Sequence, residues 1–390
     1  MAPTRVAFVV EHLSHIGGAE KSMAKLVNYL AGTGRFVVGV VCLSNLPHNA
    51  TAYPLDEDVK LLHLERRNHL ATVARVLENR LPGFLRWRLD KWSKRYGERL
   101  LAWYLKSTGT QLVVSFMPIP IMVSAGAVRL WPIPHIASHR TNPRRHRFYH
   151  EYMGALARAC AEADCNVVLH NAYRDYFAGS KRIAVIPNGI DLPAGLVRPT
   201  QAERSPVIIS VGRMVESKNH QLLFKAFAQV AAQFPEWQLH VYGEPILRES
   251  LDHLRSVLGL PDRIKLFDPT EAIIDKLLDA RVYASGSRFE GWGRAVGEAM
   301  LCELPVIALQ DCTPINSFVS ESQGGLLVKD DPADLAQVLR HLIADPELAA
   351  RMGRRGRLYM EPFNETSSHL MWQDLINDTV GNSAARRAEP

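Results

Sequence analysis

Short apolar runs recur along the chain and alternate with longer stretches in which apolar residues return every three or four positions. The first pattern suits a strand buried on both faces and the second an amphipathic helix, so the alternation predicts a parallel α/β architecture. RVAFVV, FVVGVVCL, QLVVSF, HIAS, NVVL and AVIP are the expected strands of the first half, and VIISVG, QLHVYG, RIKLF, VYASG and PVIAL those of the second. Both halves are expected to be doubly wound, Rossmann-like sheets. Between them, residues 188–206 are rich in Pro, Gly and polar residues and lack periodicity, as an interdomain linker does. The boundary is set near Pro199, giving a first domain of 1–198 and a second of 199–366. A last helical pattern, about Ser367 to Val380, is free to pack back on the first domain, and 381–390 reads as a disordered tail.

The length of 390 residues agrees with two domains of about 200 each. A charged fraction of 22%, with nearly half the chain hydrophobic, provides for two cores and argues against disorder. The apolar run near the N-terminus is too short for a signal sequence or a membrane span, so a cytoplasmic setting is expected. Cys42, Cys160, Cys165, Cys302 and Cys312 are odd in number and lack zinc-site spacing, so they read as reduced core thiols.

Three stretches carry candidate chemistry. The first strand runs into a loop with Gly17-Gly18 at the mouth of an amphipathic helix, which suits an anion or a sugar hydroxyl and suits a tight βα turn equally well. Strand VIISVG delivers Gly212 and Arg213 at its carboxyl end, with Lys218 five residues later. Two cations at a strand end can neutralise a diphosphate, although a solvated loop would look the same. After VYASG, the run RFEGWGRAVGEAM sets Glu290 and Glu298 around Gly291, Trp292 and Gly293 at a helix start, where free amides can hold phosphate. A nucleotide diphosphate-sugar presents ribose, phosphates and sugar in the order that Glu298, those amides and Glu290 would meet them.

These residues resemble the retaining glycosyltransferases of family four, which have the GT-B fold: two doubly wound Rossmann-like domains facing across a cleft. The Glu-x7-Glu pair (Glu290, Glu298), the Gly212-Arg213 and Lys218 pattern, VIPNGID at 185–191 and GGAE at 17–20 carry the likeness in register. The resemblance implies a nucleotide-sugar donor, UDP- or GDP-linked, and a glycan or lipid-linked acceptor in bacterial polysaccharide synthesis. It implies that Arg213 and Lys218 take the pyrophosphate, that Glu298 holds the ribose and that Glu290 serves the transferred sugar. The wider donor-binding set would comprise Gly17, Gly18, Gly212, Gly243, Glu290, Gly291, Trp292, Gly293, Glu298 and Thr313, with neither metal nor other cofactor. In SHRTNP, His139 ends a strand where relatives carry a histidine or, in a surface-glycan subgroup, a glutamate. It serves either as a catalytic contact to the sugar or as a structural terminus. Arg140, Arg144 and Arg145 are the candidates to face an anionic acceptor, with a solvated basic loop as the alternative. FDPT near residue 268 and Thr313-Pro314 depart from the family's glycine and Gly-Pro at those places, so the donor's identity does not carry over.

Between Arg66 and Lys106 stand eleven Lys or Arg against three acids, a balance of +8, interleaved with Phe84, Trp87, Trp92, Trp103 and Tyr104. Basic helices with such aromatics lie on anionic lipid, so a peripheral place at the inner membrane face is expected, the alternative being a helix pair whose tryptophans are core and whose cations are solvated; nucleic acid is not expected, since no recognisable module for it occurs. Two rival activities share parts of the pattern. A GT-B epimerase would use the same donor site without an acceptor. An NAD-dependent oxidoreductase would use GWGRAVG with Asp311, but the glycines then stand too far from their strand and the two cations go unused.

Overall fold

The apolar runs form two parallel sheets in a computed structural model that describes residues 2–13, 18–44, 51–64, 83–144 and 152–388, with backbone alone at 83–94 and 386–388. Gly17, Arg145 and the 66–82 part of the basic stretch lie outside the described residues, as do the side chains of Phe84, Trp87 and Trp92. Contacts divide the chain into unit 1, Met1–Gly189 with Thr366–Pro390, and unit 2, Ile190–Glu365.

Unit 1 holds β1 (Thr4–Val10), β2 (Phe36–Cys42), β3 (Lys60–His63), β4 (Leu112–Phe116), β5 (His135–Ser138), β6 (Cys165–Val168) and β7 (Ile183–Val185). They form one sheet in the order β3-β2-β1-β4-β5-β6-β7, with every pair parallel. Its helices are α1 (Gly18–Gly32), α2 (Gly83–Ser107), α3 (Pro118–Leu130) and α4 (Met153–Glu162). α1 buries Met23, Leu26, Val27 and Leu30, the spacing of one helix face, against Val6, Phe8 and Val10 of β1. β3, absent from the sequence expectation, is an edge strand whose first two residues are exposed, so its apolar signal is weak.

Unit 2 holds β8 (Val207–Val211), β9 (Gln238–Tyr242), β10 (Ile264–Phe267), β11 (Val282–Ser285), β12 (Val306–Leu309) and β13 (Gly325–Val328), ordered β10-β9-β8-β11-β12-β13. β13 was also unforeseen. Its Gly325 lies against the Val306 backbone, so closely that a Cβ would overlap it. The helices are α5 (His220–Ala228), α6 (Arg248–Val257), α7 (Ile273–Asp279), α8 (Arg294–Leu301), α9 (Ile315–Ser322), α10 (Pro332–Ala344) and α11 (Pro346–Met360).

The units change at Gly189–Ile190, inside VIPNGID, rather than at 198–199. The cause is that the linker folds onto unit 2: Ile190 N donates to Phe363 O at 2.9 Å, and Arg198 Nε to Leu301 O at 2.9 Å. Arg204 is buried and spends its guanidinium on the carbonyls of Leu278, Ala280 and Cys302. The final helix, α12 (Glu365–Ala388), includes residues 381–388 of the expected disordered tail, and 389–390 lie outside the described residues. Trp372, Leu375 and Ile376 of α12 belong to the core of unit 1, where Trp372 stacks on Phe116 with centroids 5.9 Å apart. All five cysteines are free and buried. No described helix is long and apolar enough to cross a membrane.

Candidate active site

In the sheet of unit 2 the winding reverses between β8 and β11, which are hydrogen-bonded neighbours. The carboxyl ends flanking such a reversal leave a crevice where α/β proteins bind ligands. The loop after β8 carries Gly212, Arg213 and Lys218, and the loop after β11 carries Glu290.

Gly212 continues the strand register, its N donating to Tyr242 O at 2.9 Å, and Met214 N donates to Glu244 O at 2.8 Å. Gly243, on the neighbouring strand end, lies so close that a Cβ there would overlap the Gly212 carbonyl, which explains the glycine. A short 3-10 turn, Glu216–Lys218, then leads through Asn219, at φ 50°, into α5. The Lys218 stem lies along Gly212, its Cδ and Cε 3.3 Å from where a Cβ would stand. The ammonium of Lys218 donates to Glu290 Oε1, which also accepts from Ser287 Oγ at 3.0 Å. Both charged side chains are about one-fifth exposed, at 20% and 18%, so the pair is held mostly out of water. Arg213 is exposed and forms no ion pair with a described residue, leaving its guanidinium fork available.

The two loops are tied together by backbone. Gly286 sits where a Cβ would come within 2.6 Å of the Asn219 carbonyl, and Arg288 N donates to Ser217 O at 2.9 Å. Asp330 fastens the outside of this junction, accepting from Asn219 Nδ2 and from Arg288 Nε, both at 2.8 Å. His220 is buried with Nε2 3.3 Å from the Arg213 carbonyl, and burial lowers its pKa to about 4, so it is neutral at physiological pH. Tyr283 donates to Val211 O at 3.3 Å, and burial, with the charges of Glu290 and Glu298 nearby, raises its phenol well above the usual range. Ser287, Gly286, Asp330 and His220 were not singled out in the sequence, because none stands in a motif, and the contacts of Gly286 and Asp330 exist only where the two loops meet.

Beyond Glu290, Gly293 caps α8 at φ 82° and packs against α9, where a Cβ would come 2.8 Å from Ile315 Cγ1. That contact brings the Thr313 segment beside the glycine turn. Trp292 is 4% exposed, its indole edge-on to Phe318 at 4.7 Å and to Phe363 at 5.4 Å. Its ring therefore anchors the turn from below, and only its backbone, with that of Gly291, faces a donor role. Glu298 accepts from Arg294 Nε at 3.0 Å within α8. Five residues, Gly286 to Glu290, stand between β11 and Gly291, and Gly297 packs on Ile190, so the glycines do not form a dinucleotide turn.

Unit 1 has a corresponding reversal between β1 and β4. A cavity of about 90 Å³ lies at these strand ends, lined among others by Glu11, His12, Glu20, Phe116 and Met117. Gly18 begins α1 beside it. His139 is fully buried: its ring stacks on Phe177 at 4.0 Å and its Nε2 lies 2.9 Å from Asn166 Oδ1. Burial lowers its pKa to about 4. The ring therefore lies in the interior of unit 1, held by Phe177 and Asn166. Arg140 is itself buried, whereas Arg144 is exposed.

Residues 16–193 match the model described as Glycosyltransferase Family 4, and residues 197–359 match Glycosyl transferases group 1. The chain belongs to the family 4 glycosyltransferases. Among relatives, an uncharacterized glycosyltransferase of Haemophilus influenzae is 26% identical over 171 residues, 43% of this chain and 48% of that protein. The N-acetylgalactosamine-N,N'-diacetylbacillosaminyl-diphospho-undecaprenol 4-alpha-N-acetylgalactosaminyltransferase of Campylobacter jejuni is 23% identical over 200 residues, 50% of this chain and 54% of that protein. The chain thus spans about half the length of these curated relatives. Sucrose-phosphate synthase from Thermosynechococcus elongatus superposes with a TM-score of 0.76 at 19% identity, covering 97% of this chain and 100% of that one. The family 4 chain accordingly has the GT-B fold, with two parallel-sheet α/β domains.

Proposed function

We propose that this family 4 protein is a retaining glycosyltransferase that moves a sugar from a UDP- or GDP-sugar to a glycan or lipid-linked acceptor in bacterial surface-glycan synthesis. The observation that carries the reading is the meeting of Lys218 and Glu290, with Arg213 exposed beside them, at the β8/β11 reversal. One nitrogen donor held against a carboxylate, with a second cation free, matches a ligand that joins a diphosphate to a hydroxyl-rich ring.

In the reaction so read, Lys218 leaves Glu290 for the donor's phosphates and Arg213 takes their outer oxygens. The bond from the anomeric carbon to the phosphate oxygen breaks, its electron pair passing to the departing diphosphate, where the two cations and the amides at Gly291 to Gly293 stabilise the charge. The acceptor hydroxyl attacks from the same face and yields its proton to a phosphate oxygen, so configuration is kept. Glu290 accepts hydroxyls of the sugar and Glu298 those of the ribose. This neutralisation uses protein cations alone, so turnover should persist after treatment with a chelator.

The same reading sets the enzyme at the inner face of the membrane. α2 turns Leu101, Ala102 and Leu105 to the core of unit 1 and leaves Trp103 56% exposed, as an interfacial anchor requires. Flotation with anionic vesicles at low salt tests this placement, and absence of binding would remove it. The activity itself is tested by a screen of nucleotide-sugars, followed by measuring whether release of nucleoside diphosphate depends on added acceptor. Ring inversion of the donor without acceptor would instead favour an epimerase.

A further inference from the structure

Arg140 carries a guanidinium into the interior of unit 1, where it is 7% exposed. Its Nη2 donates to Asn188 Oδ1, an oxygen that also accepts from Ser22 Oγ of α1 at 3.0 Å. Nε and Nη1 are buried and meet no acceptor among the described residues. Two positions earlier, at the end of β5, Ser138 has a buried Oγ that also meets no partner among the described residues. The guanidinium rests over the Phe116 ring at 5.5 Å, which offsets only part of its desolvation. Buried polar groups are nearly always satisfied, and a buried cation without an anion is the costliest exception. Burial lowers the Arg140 pKa to about 9, which still leaves the group charged at neutral pH.

Phe116, whose ring the guanidinium overlies, and Met117 also line the cavity at the β1/β4 reversal. Met117 holds φ 76°, a conformation rare for a bulky side chain, and its N donates to Ser138 O at 3.0 Å. Glu11 and Glu20 on the cavity wall are acceptors for hydroxyl groups rather than for anions. Unpaired cationic donors beside carboxylates fit a ligand that is both phosphorylated and hydroxylated.

We propose that Arg140, with Ser138 and Asn188, is an anion subsite of unit 1 that takes a phosphate group borne by the acceptor sugar. A phosphate on a lipid carrier and one on a soluble saccharide present the same oxygens. The inference rests on the glycosyltransferase reading for the word acceptor, but its test uses binding without turnover. Failure here leaves sugar transfer standing, and failure of transfer leaves this site standing.

The test uses the full chain carrying Arg213→Ala and Lys218→Ala, which removes the donor cations, and titrates inorganic phosphate and octyl phosphate calorimetrically. Phosphate is expected to bind this protein and to raise its melting temperature. Adding Arg140→Met should weaken binding by on the order of tenfold or more and abolish the thermal shift. Tighter binding of octyl phosphate that still depends on Arg140 assigns a lipid-borne phosphate, and equal binding a soluble one. Should Arg140→Met fail to fold, Arg140→Lys carries the same comparison, with weaker phosphate binding expected. Affinity equal to the parent's in the folded Arg140 variant, or no phosphate binding by the parent, overturns the proposal.

Discussion

Lys218 and Glu290 meet in an ion pair across 72 positions of sequence, and Ser287 Oγ donates to the same carboxylate oxygen at 3.0 Å. In the proposed reaction each charge stands in for a ligand group until a donor arrives. Glu290→Gln is therefore expected to keep the fold and lower the transfer rate by roughly 100-fold or more, while Lys218→Ala weakens nucleoside diphosphate binding. Steady-state kinetics and calorimetry on both variants check this, and near-normal turnover in each would remove the assignment. Because the pair is mostly shielded from water, either single variant should also lose about 1–3 kcal/mol of stability and the double variant less than the sum, as a double-mutant cycle in urea will read.

Gly286 has no space for a side chain: a Cβ would stand 2.6 Å from the Asn219 carbonyl and 3.0 Å from that of Lys218. Gly286→Ala should push the two loops apart, costing roughly 1–3 kcal/mol and lowering kcat more than it weakens diphosphate binding. An unchanged kcat would show that the spacing of Lys218 and Glu290 does not depend on this contact.

Asp330 joins Asn219 to Arg288 at the outer side of the junction, with Arg288 and Asp330 48% and 41% exposed. Exposed pairs add little to stability, so Asp330→Ala should shift unfolding by less than about 1 kcal/mol. Its expected effect is a raised KM for the donor, since the loop bearing Lys218 loses its tether. Equal KM values for variant and parent would make the clamp incidental.

Burial lowers the pKa values of His135 to about 3 and of His139 and His220 to about 4, against about 6.5 for an unfolded histidine. From pH 6.5 down to about 4 the unfolded chain takes up protons that these buried rings refuse, so stability falls as pH falls through that window. Two of the three groups lie in unit 1, which should soften first on acidification. Thermal melts between pH 7 and 4 should show a flatter slope for His139→Phe than for the parent.

Much of the fold was legible because parallel strands buried on both faces write themselves as unbroken apolar runs. β3 and β13 escaped for the opposite reason, being edge strands whose residues are half exposed or begin with glycine. Lys218, Glu290 and Gly293 could be named because residue type and spacing reported their positions at strand ends and a helix start. Asp330 could not, since it matters through partners 111 and 42 positions away, and Ser287 and His220 could not because neither stands in a motif. The burial of His139 and Arg140 was hidden for a related reason: the sequence placed both at a strand end but could not tell how deeply each would sink. Composition misled at the linker as well, where Arg204 makes a polar, proline-rich segment part of a folded wall.

The return of α12 to unit 1 has a consequence for how the chain is made. Residues 190–365 are complete as soon as they have been synthesised, whereas the Trp372, Leu375 and Ile376 that finish the other core emerge only after them. On the ribosome the N-terminal sheet must wait, one face uncovered, while the later unit folds ahead of it. A nonsense mutation between Thr366 and Trp372 would thus leave unit 2 whole and strip Trp372, Leu375 and Ile376 from the core of unit 1.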